Sequence, residues 1–409
     1  MSKTLIFVSS HRQHKKVADR LLGAIAAGCK IELFAFDRGD IPHPVYSHPN
    51  ISHISLGHIR DGFTPGRFFS LARAALILFR ATRRTDDRNV MLLANTLETL
   101  IIAWIAGLMR LPTIYDVADI NPLQISDSIV GRVTRATERR IVNYVRVLVV
   151  SSPWFYWQYF ASTLKIRQAA VLIENKVGFA RVQRIGLKPL TGDIAWNGLL
   201  RCRTSATVLL ECMIAAPDSF RLSLHGTLER IGDLGQKLID QPNCVYTGKY
   251  DVDSLGDLLA RSSFVWAIDF ADFENSIWLL PNRLYEAIAS GVPLIAVDGT
   301  ATADVVRRYN IGIVLPECTG QAVIRALASC SQAEYSTWVK NVDELGARSV
   351  RGDEWIELFE SAGSWDKLTR LPRAVDVRVV LGVQPVATAG FNSSLPTRIS
   401  YANIPQPTN

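Results

Sequence analysis

The chain contains no CxxC pair among its six cysteines, Cys29, Cys202, Cys212, Cys244, Cys318 and Cys330, and no histidine stands near them at metal-ligand spacing. That scatter indicates neither a zinc site nor a disulfide framework, so reduced thiols and no bound metal are expected. Glycine-rich phosphate loops are missing as well. Neither GxGxxG nor GxxxxGK[ST] occurs, which disfavours nicotinamide dehydrogenases and removes P-loop kinases and ATPases. The aromatic-interleaved basic motifs of RNA-binding modules are absent, so no nucleic-acid partner is expected. Long apolar runs are lacking too. The opening segment has only four apolar residues in a row, Leu5 to Val8, too few for a secretory signal, and the protein is expected not to be exported. Met91 to Pro112 is richer, but Asn95, Thr96, Glu98 and Arg110 interrupt it. Its longest uncharged run, Thr99 to Met109, falls short of the roughly 20 residues a membrane span needs. A strand, a turn and a buried helix are predicted there.

What remains is a globular composition: 409 residues, 48% hydrophobic and 20% charged, a length that suits two domains. The charge is uneven. Residues 1–190 hold 26 Lys+Arg and 13 Asp+Glu, whereas residues 191–409 hold 19 and 25, so a first half at +13 faces a second at −6. An acidic partner should meet the first half, either phosphate groups or an anionic bilayer surface. In Thr64 to Arg84, Phe68, Phe69, Ala72, Ala75, Leu76 and Phe79 recur at helical spacing, while Arg73, Arg80 and Arg84 share another face. This basic amphipathic helix can lie in a membrane interface with those arginines near lipid phosphates, or its apolar stripe can pack on a sheet.

Apolar runs of strand length alternate with helical patterns: Thr4–Ser9, Ile31–Phe36, Val90–Leu93, Thr113–Tyr115 and Val147–Val150, then Asp193–Trp196, Arg221–Leu224, Cys244–Tyr246, Phe264–Ile268, Leu294–Val297 and Gly312–Leu315. The pattern predicts an α/β fold of two Rossmann-like domains, 1–180 and 190–350, each with a parallel sheet under helices and with a cleft between them. The joint is placed in Gly178 to Gly192, a helix in 351–370, and a disordered tail in 371–409, in which Val375–Val380 can pair as an edge strand. His43, His48, His53 and His58 suit no single helix face, and a turn-rich loop with Pro42, Pro44 and Pro49 accounts for them better than a metal site does.

The strongest motif is Pro281-Asn282-Arg283-Leu-Tyr-Glu286-Ala-Ile-Ala-Ser-Gly291-Val-Pro293. Pro281 suits the first turn of a helix that Gly291 ends, before a buried strand. Free N–H groups and the positive dipole end at that start favour an anion, to which Arg283 adds a bidentate donor. Glu286 shares the face and can accept both hydroxyls of a ribose. Together they describe a clamp for a sugar nucleotide. Upstream, Gly198 permits close backbone approach after a strand, and Arg201 and Arg203 approach the next helix start; for Arg203, a solvated helix-start arginine is the alternative. In the first half, Asp116 and Asp119 end a strand before Asn121-Pro122. Asp119 suits a general base or a turn cap, and Asp116 a structural role. Ser10 and His11 open a loop that can reach an acceptor or bound phosphates.

These residues resemble the C-terminal-domain signature of GT-B glycosyltransferases, GT4-like in their donor half, that assemble bacterial exopolysaccharides and lipopolysaccharides, those of xanthan and succinoglycan among them. The resemblance implies GT-B architecture with two facing Rossmann-like domains and an interdomain cleft. It assigns donor binding to Gly198, Arg201, Arg203, Asn282, Arg283 and Glu286, with Thr247-Gly248-Lys249-Tyr250 beside the base. The Ser9-Ser10-His11 loop and Asp119 are similar to those of the membrane-associated glucuronosyltransferase of xanthan assembly. A second glutamate that the family carries upstream of the ribose glutamate is replaced by Trp278, with Glu274 displaced. The implied function is inverting transfer of glucose or glucuronate from a UDP-sugar, with no cofactor, to a polyprenyl-diphosphate-linked oligosaccharide. The implied location is the cytoplasmic face of a bacterial inner membrane, held peripherally. A UDP-sugar 2-epimerase and a non-catalytic sugar-nucleotide-binding protein are the alternatives.

Overall fold

The computed structural model describes residues 3–10, 15–37, 44–59, 65–83, 89–117, 119–166, 170–176, 190–251, 254–270, 274–349 and 354–361. Apolar runs form the strands and amphipathic segments the helices. The first half contains β1 (Thr4–Ser9), α1 (Lys15–Ala26), β2 (Lys30–Asp37), β3 (Ile51–His58), α2 (Pro65–Thr82), β4 (Val90–Ala94) and α3 (Leu97–Ile105). It continues with β5 (Thr113–Val117), α4 (Pro122–Ile125), α5 (Ile129–Val142), β6 (Val147–Val150), a π-helical stretch at Phe155–Thr163 and β7 (Ala170–Leu172). The second half opens with β8 (Asp193–Leu200), α6 (Arg203–Ala215), β9 (Arg221–Leu228), α7 (Asp233–Ile239) and β10 (Cys244–Gly248). Then come α8 (Leu255–Leu259), β11 (Phe264–Trp266), α9 (Asn282–Ala289), β12 (Leu294–Val297), α10 (Ala301–Tyr309) and β13 (Gly312–Leu315). Three helices close it: α11 (Gly320–Ser329), α12 (Gln332–Ser349) and α13 (Glu354–Ser361).

Seven parallel strands in the order β3-β2-β1-β4-β5-β6-β7 make the first sheet, and six in the order β10-β9-β8-β11-β12-β13 the second. Both orders reverse direction beside their first strand. At such a reversal the flanking helices lie on opposite faces and leave a crevice beyond the strand ends, where ligands bind in open α/β sheets. α13 returns to the first domain, packing Trp355, Leu358 and Phe359 against Val17 and Leu21 of α1. Gly23 permits the approach, since a Cβ there would meet Trp355 Cβ at 2.6 Å.

Three expectations are corrected. The histidine segment contains a strand, not only turns: β3 pairs with β2 through Ile51 to His58, with His53 and His58 in it. Its edge position leaves most of its side chains half exposed, and so the alternation is too shallow to read. In α2 the inward face is Leu71, Ala74, Ala75 and Leu78, while Phe69, Leu76 and Phe79 point outward with Arg73 and Arg80. Small residues fit against the sheet where phenylalanines do not. Pro281 caps α9 from outside instead of opening it. His11, Arg84, most of the 178–192 joint and the 371–409 tail lie outside the described residues.

Among the first domain's polar contacts, Arg20 of α1 grips Asp116 at the end of β5, Nε to Oδ2 at 2.8 Å and Nη2 to Oδ1 at 3.2 Å. The guanidinium also lies 4.7 Å from the centre of the Trp355 ring. Removing one member of a buried pair strands the other. Arg20→Met should therefore lower unfolding free energy by about 3–5 kcal/mol, with Asp116→Leu added on top restoring most of it, as read from urea midpoints.

Candidate functional site

The carboxyl ends of β1, β4 and β5 face those of β8, β9 and β11 across a cavity of about 750 Å³, within the size range of small-ligand sites. Its second-domain wall starts at β8. Gly198 has φ +94°, and its strand neighbour Gly226 lies so close that a Cβ on Gly226 would sit 1.9 Å from the Gly198 carbonyl oxygen. Only glycine allows both the dihedral and the approach. After the strand, Cys202 caps α6 through its sulfur, which accepts from Ser205 N and from Phe270 N, both at 3.3 Å.

Arg283 is 6% exposed. Its Nη1 donates to the Ile268 carbonyl at 3.3 Å and its Nη2 to the Leu199 carbonyl at 3.2 Å. Asp269 Oδ2 lies 3.6 Å from that Nη2 and 3.8 Å from Nε of Arg201. These separations exceed a charge-assisted hydrogen bond, so both cations stay available to an anion. Glu286, one turn along α9, accepts from Asn197 Nδ2 at 2.6 Å. Beside them burial, with Glu286 adding to it, pushes the Tyr250 hydroxyl up to about 12. Lys249, Tyr250 and Asn282 also line the cavity.

The first-domain wall is built from loop ends. Asn95, after β4, accepts from Ser10 N at 3.2 Å and donates to Ser9 Oγ at 2.9 Å, fixing the end of β1. Asp119 opens to the cavity and accepts from Ile120 N at 2.8 Å. Crowding in the cleft raises its carboxyl above the ordinary range, with Lys16 and Arg201 from opposite walls partly offsetting the rise. Lys16 is shifted down, by burial first and by Arg20 next.

The cavity thus gathers Ser10, Asp119, Gly198, Arg201, Asn282, Arg283 and Glu286. Arg203 departs from its expected place: Nη1 donates to the Ile231 carbonyl at 3.1 Å, because the first turn of α6 aims it toward the loop before α7, and it does not line the cavity. Trp278 packs against the first domain's core with Leu279. The sequence reading passed over Asp269, Asn95 and Asn197, all of which line the cavity. Each sits at or near a strand end, and that position was the readable signal. Among the described residues no group of three His, Cys, Asp or Glu could hold a metal ion.

Gly226→Ala should destabilise the chain by about 2–4 kcal/mol through forced dihedral and overpacking, measured as a loss in urea midpoint. An unchanged midpoint would contradict the close β8/β9 approach.

No family model matches the chain. It is 32% identical over 402 residues to the succinoglycan biosynthesis protein ExoL of Rhizobium meliloti, covering 89% of this chain and 98% of that protein. Among solved structures it is similar to HepE from Anabaena in complex with UDP, with TM-score 0.64 at 14% identity over 88% of this chain and 99% of that one. Sucrose-phosphate synthase from Thermosynechococcus elongatus gives TM-score 0.60 at 17% identity over 90% and 98% of the two chains.

Proposed function

The chain belongs to the family of the succinoglycan biosynthesis protein ExoL and carries the GT-B fold, and from that membership we propose that it is a glycosyltransferase using a UDP-sugar to extend a polyprenyl-diphosphate-linked oligosaccharide of exopolysaccharide synthesis. The observation that carries the reading is a single cavity with two arginines and a glutamate on one wall and an aspartate on the other.

In this reading Arg283, Arg201 and the N–H groups that open α9 at Asn282 hold the donor diphosphate. Glu286 accepts the ribose hydroxyls, and Lys249 with Tyr250 flanks the base. Gly198 leaves room for the phosphates against the backbone. Asp119 takes the proton from the acceptor hydroxyl as its oxygen bonds to the anomeric carbon from the face opposite UDP. The bond from that carbon to the UDP oxygen breaks, and the leaving group carries away the electron pair. The arginines offset the charge that builds on it. The donated hexose is glucose or glucuronate, transferred with inversion. Ser10, with His11 next in sequence, belongs to the acceptor side.

A donor screen with lipid-linked oligosaccharide acceptors, following UDP release and product linkage, tests the whole reading. Epimerised UDP-sugar without acceptor, or UDP binding with no turnover, would overturn it. Asp119→Asn should lower turnover by roughly 100-fold or more with UDP affinity unchanged by calorimetry. Because the Asp119 carboxyl is raised and only its deprotonated form accepts a proton, the wild-type rate should fall as pH drops through a value above the ordinary carboxylate range. The variant should lack that limb. Glu286→Ala should weaken UDP binding by roughly 10- to 100-fold, the loss of hydrogen bonds to a charged group; equal affinity would remove the ribose role.

A further inference from the structure

α5 is a basic helix whose one acidic residue, Glu138, points inward. Glu138 is fully buried on the face that carries Ile141 and Val142 into the first domain's core, while Arg139 and Arg140 beside it are exposed. A carboxylate there is costly unless its oxygens are met. Oε1 accepts from the Tyr115 hydroxyl of β5 at 3.0 Å. Oε2 accepts from Gln124 Nε2 of α4 at 2.8 Å and from the Tyr159 hydroxyl of the π-helical stretch. Burial still holds the carboxyl above its ordinary range, with the three donors drawing it back. Neither Glu138 nor Gln124 lines the cavity. Packing alone does not call for this cluster, since apolar groups of the same shape would fill the space at little loss.

The cluster leads to the turn that carries Asp119. Carboxylate oxygens only accept, so Glu138 draws the amide nitrogen of Gln124 toward itself. The same nitrogen also donates to the Tyr159 hydroxyl at 3.3 Å. The amide oxygen must then face the other way, where it accepts from Asn121 N at 2.8 Å. Asn121 stands two residues after Asp119, and buried Ile120 between them donates its N–H to Asp119 Oδ1. With four residues, α4 is too short to hold itself in place. α5 grips it from below: Arg135 Nη1 donates to the carbonyls of Gln124, at 3.1 Å, and of Ser126. Gly131 permits the approach, since a Cβ there would lie 2.2 Å from the Ser126 carbonyl oxygen.

We propose that Glu138, acting through Gln124, is a positioning residue that holds Asp119 where it takes the acceptor proton. The inference rests on the reading of Asp119 as the base. A shift of about 1 Å at a reacting group can lower a rate roughly 100-fold. Donor binding, on the opposite wall, does not depend on this turn.

The test compares variants of the full chain by two readouts. The first needs no turnover: titration of the Asp119 carboxyl by ¹³C NMR, assigned by its loss in Asp119→Asn. Burial is the leading cause of the raised Asp119 value, so a loosened turn that admits water should move the titration down toward the ordinary carboxylate range in Gln124→Met. The second is turnover of UDP-glucose and UDP-glucuronate with a polyprenyl-diphosphate-linked oligosaccharide. In Gln124→Met, kcat should fall roughly 10-fold or more, with KM for the UDP-sugar unchanged and the acid limb of the pH profile displaced in the same direction as the titration. Glu138→Leu should behave alike, whereas Glu138→Gln keeps an oxygen for Gln124 and Tyr159 and should retain most of the rate. Thr319→Ala, which removes the cap that accepts from Ala322 N at 3.2 Å on α11, should lower the urea midpoint and leave titration and kcat where they are. An unmoved Asp119 titration or an undiminished kcat in Gln124→Met would overturn the positioning role alone, while Asp119→Asn still costs the rate. An unaltered rate in Asp119→Asn, or no turnover in the wild type, would overturn the base reading and this inference with it, even where the titration moves.

Discussion

A buried guanidinium organises the second-domain wall. Arg283 is almost wholly out of water, and a charge there persists only with partners. Those partners are main-chain carbonyls from two strand ends, Leu199 of β8 and Ile268 after β11. β8 and β11 are neighbours where the strand order reverses, and so the crevice and the cation require each other. The positive φ of Gly198 lies beside the same group: a Cβ on Gly198 would come 3.9 Å from Nη2. Moving the strand ends apart strands the charge, and the Ile268 carbonyl is further held by the Ser205 hydroxyl at 3.2 Å. Of its five donors, two are anchored in this way, while the carboxylate of Asp269 approaches without closing on it.

The first domain treats its own buried arginine differently. Arg20 is clasped by both oxygens of Asp116 and lies near the Trp355 ring, and its charge still reaches Lys16, whose amine it helps to lower. The shifted groups on that wall are Lys16 and Asp119, whose shifts run in opposite senses from one leading cause. Desolvation disfavours the charged form of each, lowering the amine and raising the carboxyl. Lys16 and Arg201 pull Asp119 back toward the ordinary range without overcoming that desolvation.

Residue type and period carried the two sheets and the α9 segment into the sequence reading, because continuous apolar runs and a Pro-to-Gly helix frame are local signals. Gly198, Arg201, Arg283 and Glu286 reach the cavity from motif positions that could be read in one dimension. What stayed hidden depends on the third. β3 is an edge strand with histidines and a glycine in it, β7 is three residues long, and neither shows a full alternation. Asp269 acquires meaning only when β11 and β8 are set side by side, since its two arginines lie 14 and 68 positions away in the chain. Arg203 was misplaced for the converse reason. A helix-start arginine looks the same in sequence whether it turns into the cleft or to the Ile231 carbonyl. In α2 the period was legible but its sense was not, because periodicity fixes the angle between faces and says nothing about which one meets the sheet.

One helix joins these features. On α9, Arg283 and Glu286 face the cavity, while Tyr285 between them is fully buried and donates to Glu174 of the first domain at 2.9 Å. Its neighbour α10 is tied across by Trp154, whose Nε1 donates to Asp304 at 2.9 Å. A change in the angle between the domains must therefore be felt at the turn that holds the arginine and the glutamate. Buried side chains resist rotation, since a displaced Tyr285 would leave its hydroxyl without an acceptor in apolar surroundings. The distance between the two walls, and with it the reach from Asp119 to anything held by Arg283, is set by the same helix that supplies the grip.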